Sequence, residues 1–210
     1  MLKLWNGDKI MRSRKLLIIY LLILFPIITI CNALMNTGRV SINYSGFGVD
    51  DSGVLYVGKD SGIEKYKDGK MIGIISPQTS RGYAFTIQGD DTILLSTAST
   101  VYTLDLSGNV LDEWEDKDTS TFNKLQFIKK FTTKDGHKYV MKSHFGRTII
   151  CCNNEIIYQM PLLDYIVKIL WFSCFFIAFI FAIMLVKQYL NRHKGREQRT
   201  QGDGSPVLPK

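Results

Sequence analysis

Two scales of apolar patterning organise this chain. At its ends the apolar residues run together. Leu16 to Ile30 is apolar or nearly so and continues raggedly to Met35, with Pro26 interrupting it and Asn32 near its end. Ile169 to Val186 is 18 residues without a charge, bounded by Lys168 and Lys187, and Leu162 to Val167 extends it despite Asp164. At about 1.5 Å per residue the second run covers about 27 Å, enough to cross a hydrocarbon core. Tyr165, Trp171 and Tyr189 lie near its ends, where amphipathic rings sit at headgroup level. The first run supports two readings. It is a membrane anchor of borderline length, or a secretory signal in which Arg12, Arg14 and Lys15 form the basic region and Cys31-Asn-Ala33 the small-x-small cleavage site.

Between these runs the scale changes. Residues 36–164 carry short alternating stretches separated by turn residues, with no helix-length periodic segment. Three units follow one another, each reading strand, turn, strand, turn, strand, turn, strand. The first runs through Phe47-Gly-Val-Asp-Asp-Ser-Gly53, Val54 to Val57, Ile63 to Tyr66 and Met71 to Ile75. The second uses Phe85 to Asp91, Ile93 to Leu95, Val101 to Leu104 and Val110 to Trp114. The third uses Phe127 to Thr133, Lys138 to Met141, Thr148 to Cys152 and Ile156 to Met160. Their third turns fall at Asp68-Gly69, Ser107-Gly108 and Asn153-Asn154, residues suited to the positive φ that tight hairpins demand. Val40 to Tyr44 reads as one further edge strand. Four strands in roughly 40–45 residues is the period of a propeller blade, and such a sheet needs neighbours to cover its faces.

With its Asp-x-x-Gly-type corners, its short Val/Ile/Leu/Tyr strands and closing pieces such as Leu106-Ser-Gly-Asn-Val-Leu111, residues 40–160 resemble bacterial β-propeller repeat proteins of the NHL and PQQ-like kind. The resemblance implies a stacked-blade scaffold used mostly for binding. The Gly-His and Trp-Asp signature of WD40 blades is missing. Closed propellers have 4–8 blades. Three therefore imply an open arc with protected edges, or a ring completed by another chain, such as two copies making six blades.

The 210 residues are 46% hydrophobic and 21% charged, which excludes a collagen, a coiled coil, a disulfide-dense mini-protein and a disordered chain. The net charge of +7 sits at the two ends; residues 36–164 hold 14 basic and 16 acidic side chains. That distribution argues against nucleic acid. With Arg12, Arg14 and Lys15 before the first run, and Lys187, Arg192, Lys194, Arg196 and Arg199 after the second, the positive-inside rule places both ends in the cytoplasm.

Candidate chemistry is sparse. His137 and His144 are expected at loop tips, although seven residues across a hairpin could bring them together. Asp116-x-Asp118-x-Ser120 begins like a calcium loop, but Thr121 stands where glycine is expected. Asp50-Asp51 and Asp90-Asp91 occupy equivalent first corners. Cys151-Cys152 on a strand would put one side chain inward and one outward. No charge lies in the middle of either apolar run, which argues against a proton relay or ion path.

The sequence therefore predicts an all-β extracytoplasmic domain of about three four-stranded propeller-like blades (36–161). It is preceded by a cytoplasmic segment (1–15) and a signal anchor or signal peptide (16–35). A transmembrane helix (162–187) and a basic, disordered cytoplasmic tail (188–210) follow. The expected location is the plasma membrane and the expected function a non-catalytic binding or assembly module for a protein or cell-envelope ligand. No catalytic, metal or cofactor residues are assigned. The alternatives are an accessory membrane protein acting through its helices and a surface hydrolase using loop carboxylates. Tyr56, Tyr66, Tyr102, Trp114 and Tyr139 are the candidate binding-surface aromatics, and Cys174, Ala178 and Ala182, four apart, the candidate helix-association face. The membrane is the expected partner, with a second copy joined through sheet edges, or another membrane protein, beside it.

Overall fold

The computed structural model describes residues 22–77, 82–89 and 91–202. The expected cytoplasmic segment 1–15 and the start of the first apolar run lie outside the described residues. The chain divides into two compact units. One comprises residues 29–169 and holds every strand. The other comprises the residues up to 28 and those from 170 onward.

Three four-stranded antiparallel sheets form, each from strands consecutive in sequence. The first sheet is β1 (Tyr44–Val49), β2 (Leu55–Lys59), β3 (Gly62–Lys67) and β4 (Lys70–Ile75). The second is β5 (Ala84–Ile87), β6 (Ile93–Ser96), β7 (Thr100–Leu104) and β8 (Val110–Glu115). The third is β9 (Lys130–Thr132), β10 (Lys138–His144), β11 (Arg147–Cys152) and β12 (Glu155–Gln159). The corners obey the expected chemistry. Asp68 and Gly69 have φ of 49° and 73°, and Asn153 and Asn154 have 48° and 75°, the paired positive values of a tight hairpin turn.

Two boundaries differ from the sequence reading. Val40–Asn43 is not a strand. It is extended chain with Val40, Ser41 and Ile42 buried, held by Ser41 Oγ to Ser61 Oγ (3.3 Å) and by Asn43 N–H to Asp60 (3.2 Å). The third unit's opening strand begins at Lys130 rather than Phe127, because a short helix, α2 (Ser120–Leu125), and the turn closed by Ile128 N–H on Leu125 O occupy the chain before it.

The stacking order also departs from a sequential array, in which the second sheet would be central. Here the first sheet is central. Its faces alternate residue by residue along β2. Val54 and Tyr56 meet Phe85, Ile87, Ile93 and Leu95 of the second sheet. Leu55 and Val57, with Phe47 and Val49 of β1, meet Ile150 and Tyr158 of the third. All five residues of β2 are consequently buried. The far face of the second sheet, with Ala84, Ser96 and Val101 fully buried, has α2 against β5 and β6 in place of a sheet. Phe131 of β9 packs against both apolar cores and β1 packs on β5, so the first strands of the three units converge. The described residues form no closed ring.

Glycine makes the seam between first and second sheets. A Cβ at Gly48 would stand 2.6 Å from Ile87 Cγ1, and one at Gly58 would stand 2.6 Å from Phe85 Cε1. Gly58 pairs with Gly46 across β1 and β2, so side-chain-free backbone lies directly beneath Phe85.

Two further helices complete the chain. A helix here named α1 covers Leu22–Asn36, and α3 covers Leu162–Gly202. Within α3, Leu162–Lys187 is long and apolar enough to cross a membrane. Its side chains from Ile169 to Val186 are mostly exposed.

Candidate functional site

The densest polar chemistry lies inside the seam between first and third sheets. Lys59 ends the row Leu55, Val57, Lys59, whose first two members are core. Its ammonium lies 2.8 Å from Glu64 of β3 and 3.4 Å from Asp164 in the first turn of α3, and all three side chains are nearly or largely buried. A buried charge is tolerable only when paired in this way. Tyr66 donates its hydroxyl to Glu64. Tyr158 stacks edge-on against Tyr66 with ring centroids 5.1 Å apart, and shares a hydrogen bond with Tyr44 (3.1 Å). Tyr83, the residue just before β5, accepts the Lys59 N–H (3.1 Å) and donates to the Lys59 carbonyl (2.7 Å). Burial pushes the phenols of Tyr44, Tyr66, Tyr83 and Tyr158 well above their ordinary value, so all four remain neutral donors and acceptors.

This cluster ties three elements to one ammonium. The connection to α3 is direct, since only Met160 and Pro161 separate β12 from the helix. Pro161 immediately precedes α3, and its carbonyl accepts the Tyr165 N–H (3.1 Å), the first bond of the helix ladder. Arg147 Nε donates to Met160 O (2.8 Å), Tyr165 Oη donates to Phe145 O (3.0 Å), and Val167 is buried. Lys59 lines neither of the two clefts described next; its ammonium contacts Glu64 and Asp164 instead.

Two open clefts flank the central sheet. One, of about 410 Å³, is lined by Pro77, Leu95, Tyr102, Leu104, Val110 and Glu113. The other, of about 350 Å³, is lined by Leu55, Tyr66, Asp68, Tyr139, Cys152 and Ile157. In the second, burial and the neighbouring Cys152 push the Tyr139 phenol up to about 12.

The predicted aromatics divide accordingly. Tyr102 lines the first cleft, and Tyr66 and Tyr139 line the second. Trp114 is exposed on the edge strand β8. Tyr56 is a correction: it is 2% exposed and donates to Asp50 Oδ2 (3.0 Å) within the core, because β2 is covered on both faces. Of the helix face, Cys174 is buried, Ala178 half-buried and Ala182 exposed.

The other candidates resolve into turn chemistry. His137 and His144 bracket β10, at opposite ends of one strand, so they do not meet. Asp116 Oδ2 accepts the Thr121 N–H (2.8 Å) at the start of α2, and that bond holds its carboxyl below the usual range. The Asp116-x-Asp118-x-Ser120 stretch thus leads into α2, with the Asp116 carboxylate bonded to the helix's first turn. Asp50 Oδ1 organises its own corner by accepting from the N–H groups of Ser52 and Val54. Asp91 receives the Asp51 N–H (3.1 Å), while Asp51 pairs with Lys134; Asp90 lies outside the described residues. Cys151 is buried and Cys152 half-buried, as strand alternation requires.

Sequence reasoning missed Lys59, Glu64, Asp164 and Tyr158 as a group. The signals were a lysine where the β2 alternation calls for an apolar residue, and an aspartate at the head of an apolar helix.

No family model matches the chain, and no curated protein does. Among solved structures, a protein of unknown function from Bacteroides caccae is similar at 17% identity and a TM-score of 0.32. The match covers 57% of this chain and 46% of that one.

Proposed function

We propose that the chain is a membrane-tethered, non-catalytic binding module whose propeller-like β unit faces away from the cytoplasm and takes a protein or cell-envelope ligand at the seams of its sheets. The observation that carries the reading is the join at Pro161. A helix apolar enough to cross a membrane is built into the β unit, pinned by Asp164 to Lys59 with no flexible linker. The basic residues before α1 and within α3 set the direction by the positive-inside rule. Open clefts with tyrosines along their walls supply amphipathic contact area at little conformational cost, as recognition surfaces commonly do.

Location is tested with a membrane-impermeant maleimide on intact cells. Ser52→Cys in an exposed turn should label without lysis, and Ser205→Cys in the tail only after it; the reverse pattern overturns the orientation. Binding is tested by crosslinking the full chain in its own membranes. Tyr139→Ala or Tyr102→Ala should lose a specific adduct while keeping the thermal midpoint. An adduct unchanged in both variants would refute the cleft as the site.

A further inference from the structure

The β10–β11 hairpin ends in His144-Phe145-Gly146-Arg147, and its corner is unusual. Phe145 has φ of 48° and Gly146 81°. The first of these positions favours Asn, Asp or Gly, and a bulky side chain there is strained. The strain gains no core contact, because Phe145 is 85% exposed, the highest value among the large apolar side chains of the described residues. A strained residue kept at an exposed tip points to a use for the side chain itself.

Its surroundings indicate the use. The Phe145 carbonyl accepts the Tyr165 hydroxyl (3.0 Å), and Tyr165 lies in the first turn of α3, at the head of the apolar span Leu162–Lys187. Leu162, Leu163 and Ile166 are exposed in that same turn. Arg147 lies with its guanidinium carbon 5.8 Å over the Tyr165 ring. An exposed aromatic tip, a tyrosine and an arginine clustered where an apolar helix begins have the composition of a bilayer–water interface.

We infer that Phe145 is a second membrane contact of the β unit, its ring seated at the headgroup–acyl boundary beside the entry of α3. Lipid is the occupant because the patch is continuous with the span, which rests on the membrane-tether reading proposed above. Beside a single helix, a second contact at the hairpin tip limits how far the β unit tilts against the membrane plane.

The test uses the full chain in vesicles of equal parts phosphatidylcholine and phosphatidylglycerol, with the photoreactive residue p-benzoylphenylalanine at one position at a time. Position 145 carries the proposal. Position 137 is the control, at the other end of β10 and about 26 Å away along the strand. Position 176, within the apolar span, tests the tether. Expected is lipid adduct at 176 and at 145, with 145 on the order of tenfold above 137. Adduct at 176 but not at 145, equal adduct at 145 and 137, or adduct at 145 to a second protein chain overturns the inference and leaves the tether standing. No lipid adduct at 176 overturns the tether itself. Phe145→Asn, which suits the left-handed corner, should hold or raise the thermal midpoint; a lowered midpoint would show that the ring serves the fold instead.

Discussion

The central sheet has two seams, and they are built on opposite principles. Toward the second sheet it presents bare backbone at Gly46, Gly48 and Gly58, over which Phe85 and Ile87 settle at van der Waals distance. Toward the third sheet it presents Lys59, Glu64, Tyr44 and Tyr66, which are enclosed with Tyr158 and Asp164 in one polar network. The first seam depends on shape and tolerates no added atom. The second depends on complementary charge and hydrogen bonds and tolerates no missing one. The polar seam is also the one that holds the first turn of α3, through Asp164.

Removing the ammonium should produce the largest effect. Lys59→Met leaves Glu64 and Asp164 buried without their cation, and loss of one partner of a buried pair costs about 3–5 kcal/mol. The measurement is denaturant unfolding of the full chain in detergent, followed by tyrosine and tryptophan fluorescence. Neutralising all three, as Lys59→Met with Glu64→Gln and Asp164→Asn, should restore much of the loss, because no unpaired charge remains. If the triple variant is no better than the single one, the cluster does more than balance charge.

The glycine seam comes next. Gly48→Ala puts a methyl group 2.6 Å from Ile87 Cγ1 and 3.0 Å from the Ile87 backbone nitrogen. Ile87 can rotate but its backbone cannot yield cheaply, so overpacking of about 1–3 kcal/mol is expected. Gly53→Ala is the control; nothing stands within 4 Å of its Cβ position, and with φ of 78° it reports backbone strain alone. Equal losses at the two positions would mean that the close approach of β1 and β5 is unimportant.

These two seams also mark how far the sequence could be read. The strands and corners were legible because both are local. Alternation identifies a pleated strand, and Asp68-Gly69 or Asn153-Asn154 is a turn wherever it stands. The stacking order was not legible. Gly46, Gly48 and Gly58 announce only that something approaches closely; that it is β5 depends on residues some 30–40 positions away. The Lys59–Asp164 pair spans 105 positions, and although each member stands out of its local pattern, nothing local names the other as its partner. Tyr56 and Tyr66 illustrate the same limit: both are β tyrosines, yet one is core and the other lines a cleft, because β2 is covered on both faces and β3 is not.

Within the polar seam, deleting one hydroxyl should cost less. Tyr158→Phe removes the 3.1 Å bond to Tyr44 but keeps the ring that packs on Tyr66. A neutral hydrogen bond contributes about 1 kcal/mol, and Tyr44, half-buried, then loses that partner. The double variant Tyr44→Phe with Tyr158→Phe should be less damaging than the sum of the two singles, which a double-mutant cycle measures directly. Additive losses would mean that the two hydroxyls do not bond to each other in solution.

The smallest effect is the one at the mouth of the seam. The Tyr139 phenol is raised to about 12 by burial and by Cys152, against an ordinary value of about 10. A raised acid favours its neutral form in the fold. Its contribution to stability is therefore complete below about pH 10 and is lost as pH rises through about 12. Alkaline titration followed by ultraviolet difference absorption should show a late-ionising tyrosine that Tyr139→Phe removes. Cys152→Ser should bring that ionisation to lower pH if the thiol beside the ring supports the shift. An unchanged titration would assign the shift to burial alone, the larger of its two causes.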